Sequence, residues 1–315
     1  MTKGSLLAAL LFFSLFKKTE LRLEKSMSVR AILLGLIFVI IWSSAFTSAR
    51  IIVSYSSPIA ALAIRFFISG LIGIFIALIL GQSLKLTRSQ WRATIVFGLC
   101  QNALYLGLNF FAMQTIEASL ASIIASTMPL MVALAGWLFI SERLGNSGIV
   151  GLILGFSGVM IIMWARLTQG VDVLGLLLCI IGAIALTVAT LTLKDASSGG
   201  NIMMIVGLQM LVGSSVLAVF CILFEDVYFS LNSSFILAFA YTTVFPGLVA
   251  TVVWFKLVNE IGAVKAATYH FLNPFFGVLI AWLFLSESIS HMDGLGVIII
   301  TIGIYLVQTS KRQTV

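Results

Sequence analysis

Two side chains can carry a charge or a proton inside otherwise apolar sequence: Arg65 in the run 59–80 and His270 in the run 264–285. A charged side chain at the centre of a membrane helix costs about 2.5 to 3.5 kcal/mol even on insertion scales, so Arg65 must face protein or water. Counted from Pro58 at 1.5 Å per residue, it lies about 10 Å inside its helix. Two readings follow: an arginine held by backbone carbonyls, or one that meets an anionic substrate group. His270 shares a helical face with Ala266, Asn273 and Gly277, because residues three, four and seven apart stack along a helix. A neutral imidazole there can accept a proton near physiological pH and so respond to a proton gradient; the alternative is a histidine hydrogen-bonded between helices.

Further polar residues fall at helical spacing. Gln101, Asn102, Tyr105 and Asn109 form one stripe that lines either a cavity or a tight helix contact. Pro129 and Pro274 interrupt matched apolar helices and each frees a carbonyl one turn earlier, which a membrane tolerates next to a partner helix or a wet cavity. Glu142 and Glu287 close their helices at the membrane borders and read as end markers or salt-bridge partners. Apart from such ends no Asp or Glu stands inside an apolar run, which disfavours drug and proton exchange on an embedded carboxylate.

Other chemistries lack their residues. His270 and His291 belong to no HExxH or Ser–His arrangement, so an intramembrane enzyme is disfavoured. Cys100, Cys179 and Cys221 lie in separate runs without CxxC spacing, so no disulfide framework, metal site or cofactor is expected. Gly151, Gly155 and Gly158, with Gly294, Gly296 and Gly303, read as close helix packing and not as a phosphate loop.

The elements that position these residues follow from composition. With 61% hydrophobic and 9% charged residues and a mean hydropathy of +1.17, the bilayer must be the solvent. The continuous apolar runs exclude a β-barrel. About ten of them are long enough to span: 31–53, 59–80, 92–111, 118–140, 147–165, 173–193, 202–224, 233–255, 264–285 and 293–309. Residues 129–142, PLMVALAGWLFISE, recur as PFFGVLIAWLFLSE at 274–287, and the offset of 145 (274 − 129) also holds for Gly151/Gly296 and Gly158/Gly303. The chain is therefore expected to be an all-α integral membrane protein, with ten transmembrane helices as two five-helix repeats, 31–166 and 172–309. An odd number of helices per repeat inverts the second copy. Residues 1–30 form an N-terminal segment and 310–315 a tail, with Met27 as the physiological start or the extension as an interfacial helix.

The net charge of +7 is read by its distribution, and points to no nucleic acid. With the N-terminus inside, Lys85, Arg88, Arg92, Arg143, Lys194, Lys256, Lys265, Lys311 and Arg312 fall on the inner side, and Arg50 and Arg166 outside. Both termini are then cytoplasmic. Trp91 and Trp137 mark the inner interface, Trp164 and Trp282 the outer one.

Several stretches occur in a doubled order: Trp42-Ser43-Ser44-Ala45-Phe46, Arg65-Phe66, Ala118 to Ala125 with Pro129, Ser141-Glu142-Arg143, and Gly151, Gly155 and Gly158. The second copy repeats the order through Gly262-Ala263, Pro274, Glu287, Gly296 and Gly303. Over residues 31–308 this resembles the EamA-like family of the drug/metabolite transporter superfamily. Ser43 stands where the family more often has Gly, and His270 where many relatives are apolar. The resemblance implies an inner-membrane secondary transporter, in most cases an exporter of amino acids or related metabolites, that works by alternating access. The expected partners are a small-molecule substrate and the lipid bilayer. Transport-pathway candidates are Trp42, Ser43, Arg65, Asn102, Tyr105, Asn109, Pro129, His270, Asn273 and Pro274, with His270 the candidate for proton coupling. If Arg65 and His270 line the path, an anionic or zwitterionic carboxylate suits it better than a lipophilic cation. The alternatives are a multidrug efflux carrier, a non-transporting scaffold and an intramembrane enzyme.

Overall fold

Apolar sequence in hydrocarbon must satisfy each backbone N–H and C=O within its own segment, and the helix does this. The computed structural model describes residues 29–139, 143–168, 170–192, 201–261, 266–288, 290–309 and 312–313. Within these residues the chain forms helical rods α1 (Val29–Val53), α2 (Pro58–Ile79), α3 (Arg88–Ala112), α4 (Ala118–Ala125 and Met128–Phe139) and α5 (Asn146–Thr168). They continue as α6 (Val173–Thr192), α7 (Ile202–Phe224), α8 (Ser233–Ile261), α9 (Thr268–Leu272 and Asn273–Leu285) and α10 (His291–Thr309). Among the described residues seven helices are long and apolar enough to cross a membrane: α1, α2, α3, the Ala118–Ala135 part of α4, α6, α7 and α8. Shorter apolar stretches lie in α5, α9 and α10. The expectations for Met27, Ser141, Glu142, Lys194, Gly262, Ala263, Lys265 and Lys311, and for the Trp137 side chain, lie outside the described residues.

Element starts repeat at the sequence offset. Arg88 and Ser233 open α3 and α8, Met128 and Asn273 open the second segments of α4 and α9, and Asn146 and His291 open α5 and α10, each pair 145 residues apart (233 − 88). The residues before α3 and α8 are matched N-caps. Thr87 Oγ1 accepts from Gln90 N at 3.2 Å, and Asn232 Oδ1 from Phe235 N at 2.8 Å. Both rods then pass into π-helix at equivalent points, Gly98–Leu106 and Thr243–Val249.

The rods α5 and α10 pack along their length, as do α2 and α7. A Cβ on Gly158 would lie 2.8 Å from the carbonyl oxygen of Gly296, and one on Gly303 would strike the backbone of Gly151 and Gly155. The expected glycine packing holds for these residues; Gly294 is a correction, since nothing lies within 4 Å of a Cβ there. Its helical position turns it away from the α5 contact. Between α2 and α7, Ser214 Oγ donates to the carbonyl of Ala63 at 2.8 Å, and Gly207 lies against the carbonyl of Gly70. Both contacts are reciprocal and antiparallel: residue i of one rod meets j of the other, and the counterpart of j meets the counterpart of i.

Connections gather at two ends. At one, Ser57 Oγ donates to the carbonyl of Asp226 at 2.8 Å, Arg50 donates to the carbonyl of Met113, and Thr115 Oγ1 donates to Asp172 Oδ2 at 2.9 Å. The Gly175 N–H and then the Thr115 hydroxyl hold the Asp172 carboxyl below its usual range. A depressed pKa of this kind keeps the tie intact above the ordinary carboxylate range and releases it as pH falls through the lowered value. At the same end Glu225 accepts from Ile59 N at 2.9 Å and Ala60 N at 2.6 Å, and Glu287 from Ala118 N at 2.8 Å and Ser119 N at 2.9 Å. Glu287 is thus an end marker, a carboxylate on the first turn of α4 where helix N–H groups lack partners. At the other end Ser83 N donates to Asn201 Oδ1, Arg30 lies 3.6 Å from Glu260, and the backbone of Arg143 pairs with that of Gln313.

The exterior is as apolar as the interior: Phe75, Ile222, Leu237 and Phe284 are exposed, as are Trp91, Trp164 and Trp282. A lipid-facing surface needs this pattern, and the polar side chains accordingly turn inward.

Candidate functional site

A narrow cavity of about 30 Å³ lies where α1, α2, α3 and α8 converge. Trp42, Ala45, Phe46 and Ala49 line it from α1, Arg65 from α2, Tyr105, Asn109 and Phe110 from α3, and Pro246 from the π segment of α8. No carboxylate is among the described lining residues.

Arg65 is only 3% exposed, and its Nε has no hydrogen-bond partner. Its guanidinium lies over the rings of Phe66 and Phe110, at 4.5 and 5.5 Å from their centroids. Such cation–π contacts return about 0.5 to 2 kcal/mol, against several kcal/mol for burying an unpaired charge. The carbonyl-held reading of Arg65 gains no support from Nε. The indole Nε1 of Trp42, a second buried donor on the same cavity, interacts with the Tyr105 hydroxyl but makes no hydrogen bond of good geometry.

His270 sits one layer behind. Its ring is enclosed by Phe38, Trp42 and Trp254, with centroids at 5.1, 5.5 and 5.2 Å, and Trp42 in turn stacks on Tyr105 at 6.2 Å. Asn273 Nδ2 lies 2.8 Å from His270 Nδ1, and Ser43 Oγ donates to Asn273 Oδ1 at 3.1 Å. An amide nitrogen can only donate, so Nδ1 accepts and the proton of the neutral ring sits on Nε2. His270 is therefore a neighbour of the cavity through Trp42 and not a lining residue, which amends the expectation that it lines the path with Arg65.

The stripe on α3 divides. Tyr105 and Asn109 line the cavity, while Asn102 Nδ2 donates to the backbone carbonyl of Gln209 on α7 at 2.9 Å and also to its side-chain oxygen. The π segment spaces hydrogen bonds five residues apart, so the ordinary helical register fails across it. The two prolines stand where α4 and α9 restart. Pro129 and Pro274 are both buried in the first turn of the new segment, where the missing N–H costs least. The hydroxyls of Ser126 and Thr127 take the carbonyls of Ile123 and Ile124 at 2.6 and 2.7 Å. Ser122 Oγ donates to the carbonyl of Asn273 at 3.0 Å, which ties the break in α4 to the break in α9.

Pro246, Phe38 and Trp254 escaped the sequence reading. A proline inside an apolar run was the available signal for Pro246; the aromatic residues look like ordinary core.

The EamA-like transporter family model matches residues 29–164 and again 173–309, so the pattern that builds this cavity occurs twice in the chain. The protein belongs to the EamA-like transporter family. It is accordingly a membrane transporter of the drug/metabolite type. Among relatives of this EamA-like transporter, the uncharacterized transporter YvbV of Bacillus subtilis is 28% identical over 90% of this chain and 93% of its own. The WAT1-related chloroplastic protein At3g02690 of Arabidopsis thaliana is 23% identical, over 84% of this chain and 66% of that one. The uncharacterized inner membrane transporter YedA of Escherichia coli K12 is 25% identical over 86% and 88%. A solved crystal structure matches with a TM-score of 0.66 at 21% identity, covering 90% of this chain and 97% of that one, which bears on the fold.

Proposed function

We propose that this EamA-like protein is a secondary carrier of the inner membrane, ten spans in two inverted five-helix repeats, exporting small metabolites such as amino acids by alternating access. The observation that carries the reading is the cavity at the seam of the halves, walled by α1, α2 and α3 of the first and by Pro246 of the second. Inversion is supported by the reciprocal antiparallel contacts of α5 with α10 and α2 with α7. It is further supported by the connections, whose contacts alternate between the two ends rod by rod. Glu225 and Glu287 of the second half hold the first turns of α2 and α4 of the first, so opening at that end requires both carboxylates to leave.

The pathway comprises Trp42, Ser43, Arg65, Tyr105, Asn109 and Asn273, with Asn102, Pro129 and Pro274 shaping the helices around it. His270 couples movement to protons through Asn273. Both termini face the cytoplasm, in keeping with the basic residues at that end. The test is a metabolite panel in proteoliposomes under a proton gradient. Accumulation of an amino acid or related metabolite, abolished by collapsing the gradient, is the expected result. Movement of lipophilic dyes alone would favour multidrug efflux, and movement of no solute would end the carrier reading.

A further inference from the structure

We propose that Arg65 and Trp42 form a binding site for a monocarboxylate with a short apolar tail, and that the site reads no ammonium charge. This rests on the carrier reading for its purpose, but its evidence is the cavity itself. Two donors from different helices are buried on one cavity: the Arg65 guanidinium, whose Nε has no acceptor, and the Trp42 indole, whose contact with the Tyr105 hydroxyl falls short of a well-formed hydrogen bond. Neither can become an acceptor, and the guanidinium does not lose its proton in proteins, so a ligand that brings acceptor oxygens completes both donors and its negative charge offsets that of Arg65. A carboxylate matches the planar fork of Arg with two parallel hydrogen bonds.

The remaining wall sets the rest of the ligand. Ala45, Phe46, Ala49, Leu106 and Met113 make the rest of the wall apolar, so the part of the ligand beyond its carboxylate meets hydrocarbon. One guanidinium offsets one negative charge, which disfavours a phosphate dianion. The described lining offers no carboxylate to pair with an amine, so an α-amino group contributes no ion pair there. A 2-amino acid and the plain acid with the same tail share the recognised chemistry, and the amine with that tail lacks it.

The experiment measures thermal unfolding and calorimetric binding of the full chain in nanodiscs. The ligands are straight and branched carboxylic acids from acetate to phenylacetate, the matching 2-amino acids, and the matching amines. Carboxylates with a tail should bind and raise the unfolding midpoint, and amines should do neither. Arg65→Met should weaken carboxylate binding by about tenfold or more while the ligand-free midpoint stays at or above that of the wild type, because an unpaired buried charge has been removed. Arg65→Lys, which keeps the charge without the fork, should bind weakly. If Arg65→Met does not fold, its arginine is structural and the proposal is overturned; so it is if Arg65→Lys binds as tightly as the wild type, if amines bind as well as acids, or if no acid in the series binds. If acids and amino acids bind equally, the ammonium is unread, as proposed; amino acids alone binding would overturn that part. Binding without transport in liposomes would remove the carrier reading and leave the site standing, whereas transport of amines without carboxylate binding would do the reverse.

Discussion

An imidazole that accepts at Nδ1 has one empty proton site, and filling it turns both ring nitrogens into donors. His270 is in that position against Asn273. A proton on Nδ1 opposes the Asn273 amide nitrogen, so the amide must turn, and the oxygen that holds Ser43 of α1 moves away. Protonation at one residue thereby loosens α1 from α9 beside the cavity wall. His270→Ala should leave transport in proteoliposomes flat with pH between about 5.5 and 8, where an imidazole changes charge, while the wild type varies. An unchanged pH profile in the variant would remove His270 from coupling. Arg65 acts at the same scale by charge, and its variants test what the cavity accepts.

Helix contacts decide how the frame holds. Gly303 lies on the backbone of Gly151 and Gly155, so a side chain there forces α5 and α10 apart. Gly303→Val should cost about 1 to 3 kcal/mol by overpacking and lower the thermal midpoint, whereas Gly294→Ala, with nothing within 4 Å, should not. Equal effects of the two changes would contradict the packing described. At this scale the sequence was partly readable. The doubled PLMVALAGWLFISE segment located Pro129 and Pro274, and the restart of α4 and α9 at those points follows from proline chemistry. The π segment of α3 left no local mark, because a π-helix depends on what packs beside it, whereas that of α8 carries Pro246. For that reason Asn102 fell on the same stripe as Asn109 by spacing, although the fold sends it to Gln209. Arg65 was legible because a charge in an apolar run is costly wherever it lies. That His270 is fenced off by Trp42 was not, because the fence is built from α1 and α8, both separate in sequence from the α9 segment that carries His270.

At the scale of the whole molecule, two copies of one unit that face opposite ways can enclose a single pathway and open it alternately. The equal offset of element starts and the reciprocal glycine contacts are what such an arrangement would leave in the chain. Asn146 and His291 open the equivalent helices α5 and α10, and both are exposed. The most direct test replaces the native cysteines, introduces Asn146→Cys or His291→Cys singly, and labels intact cells with a membrane-impermeant maleimide. The account predicts that Cys at position 291 reacts from outside and Cys at position 146 reacts only after the cells are opened. Labelling of both from the same side would contradict the inverted carrier.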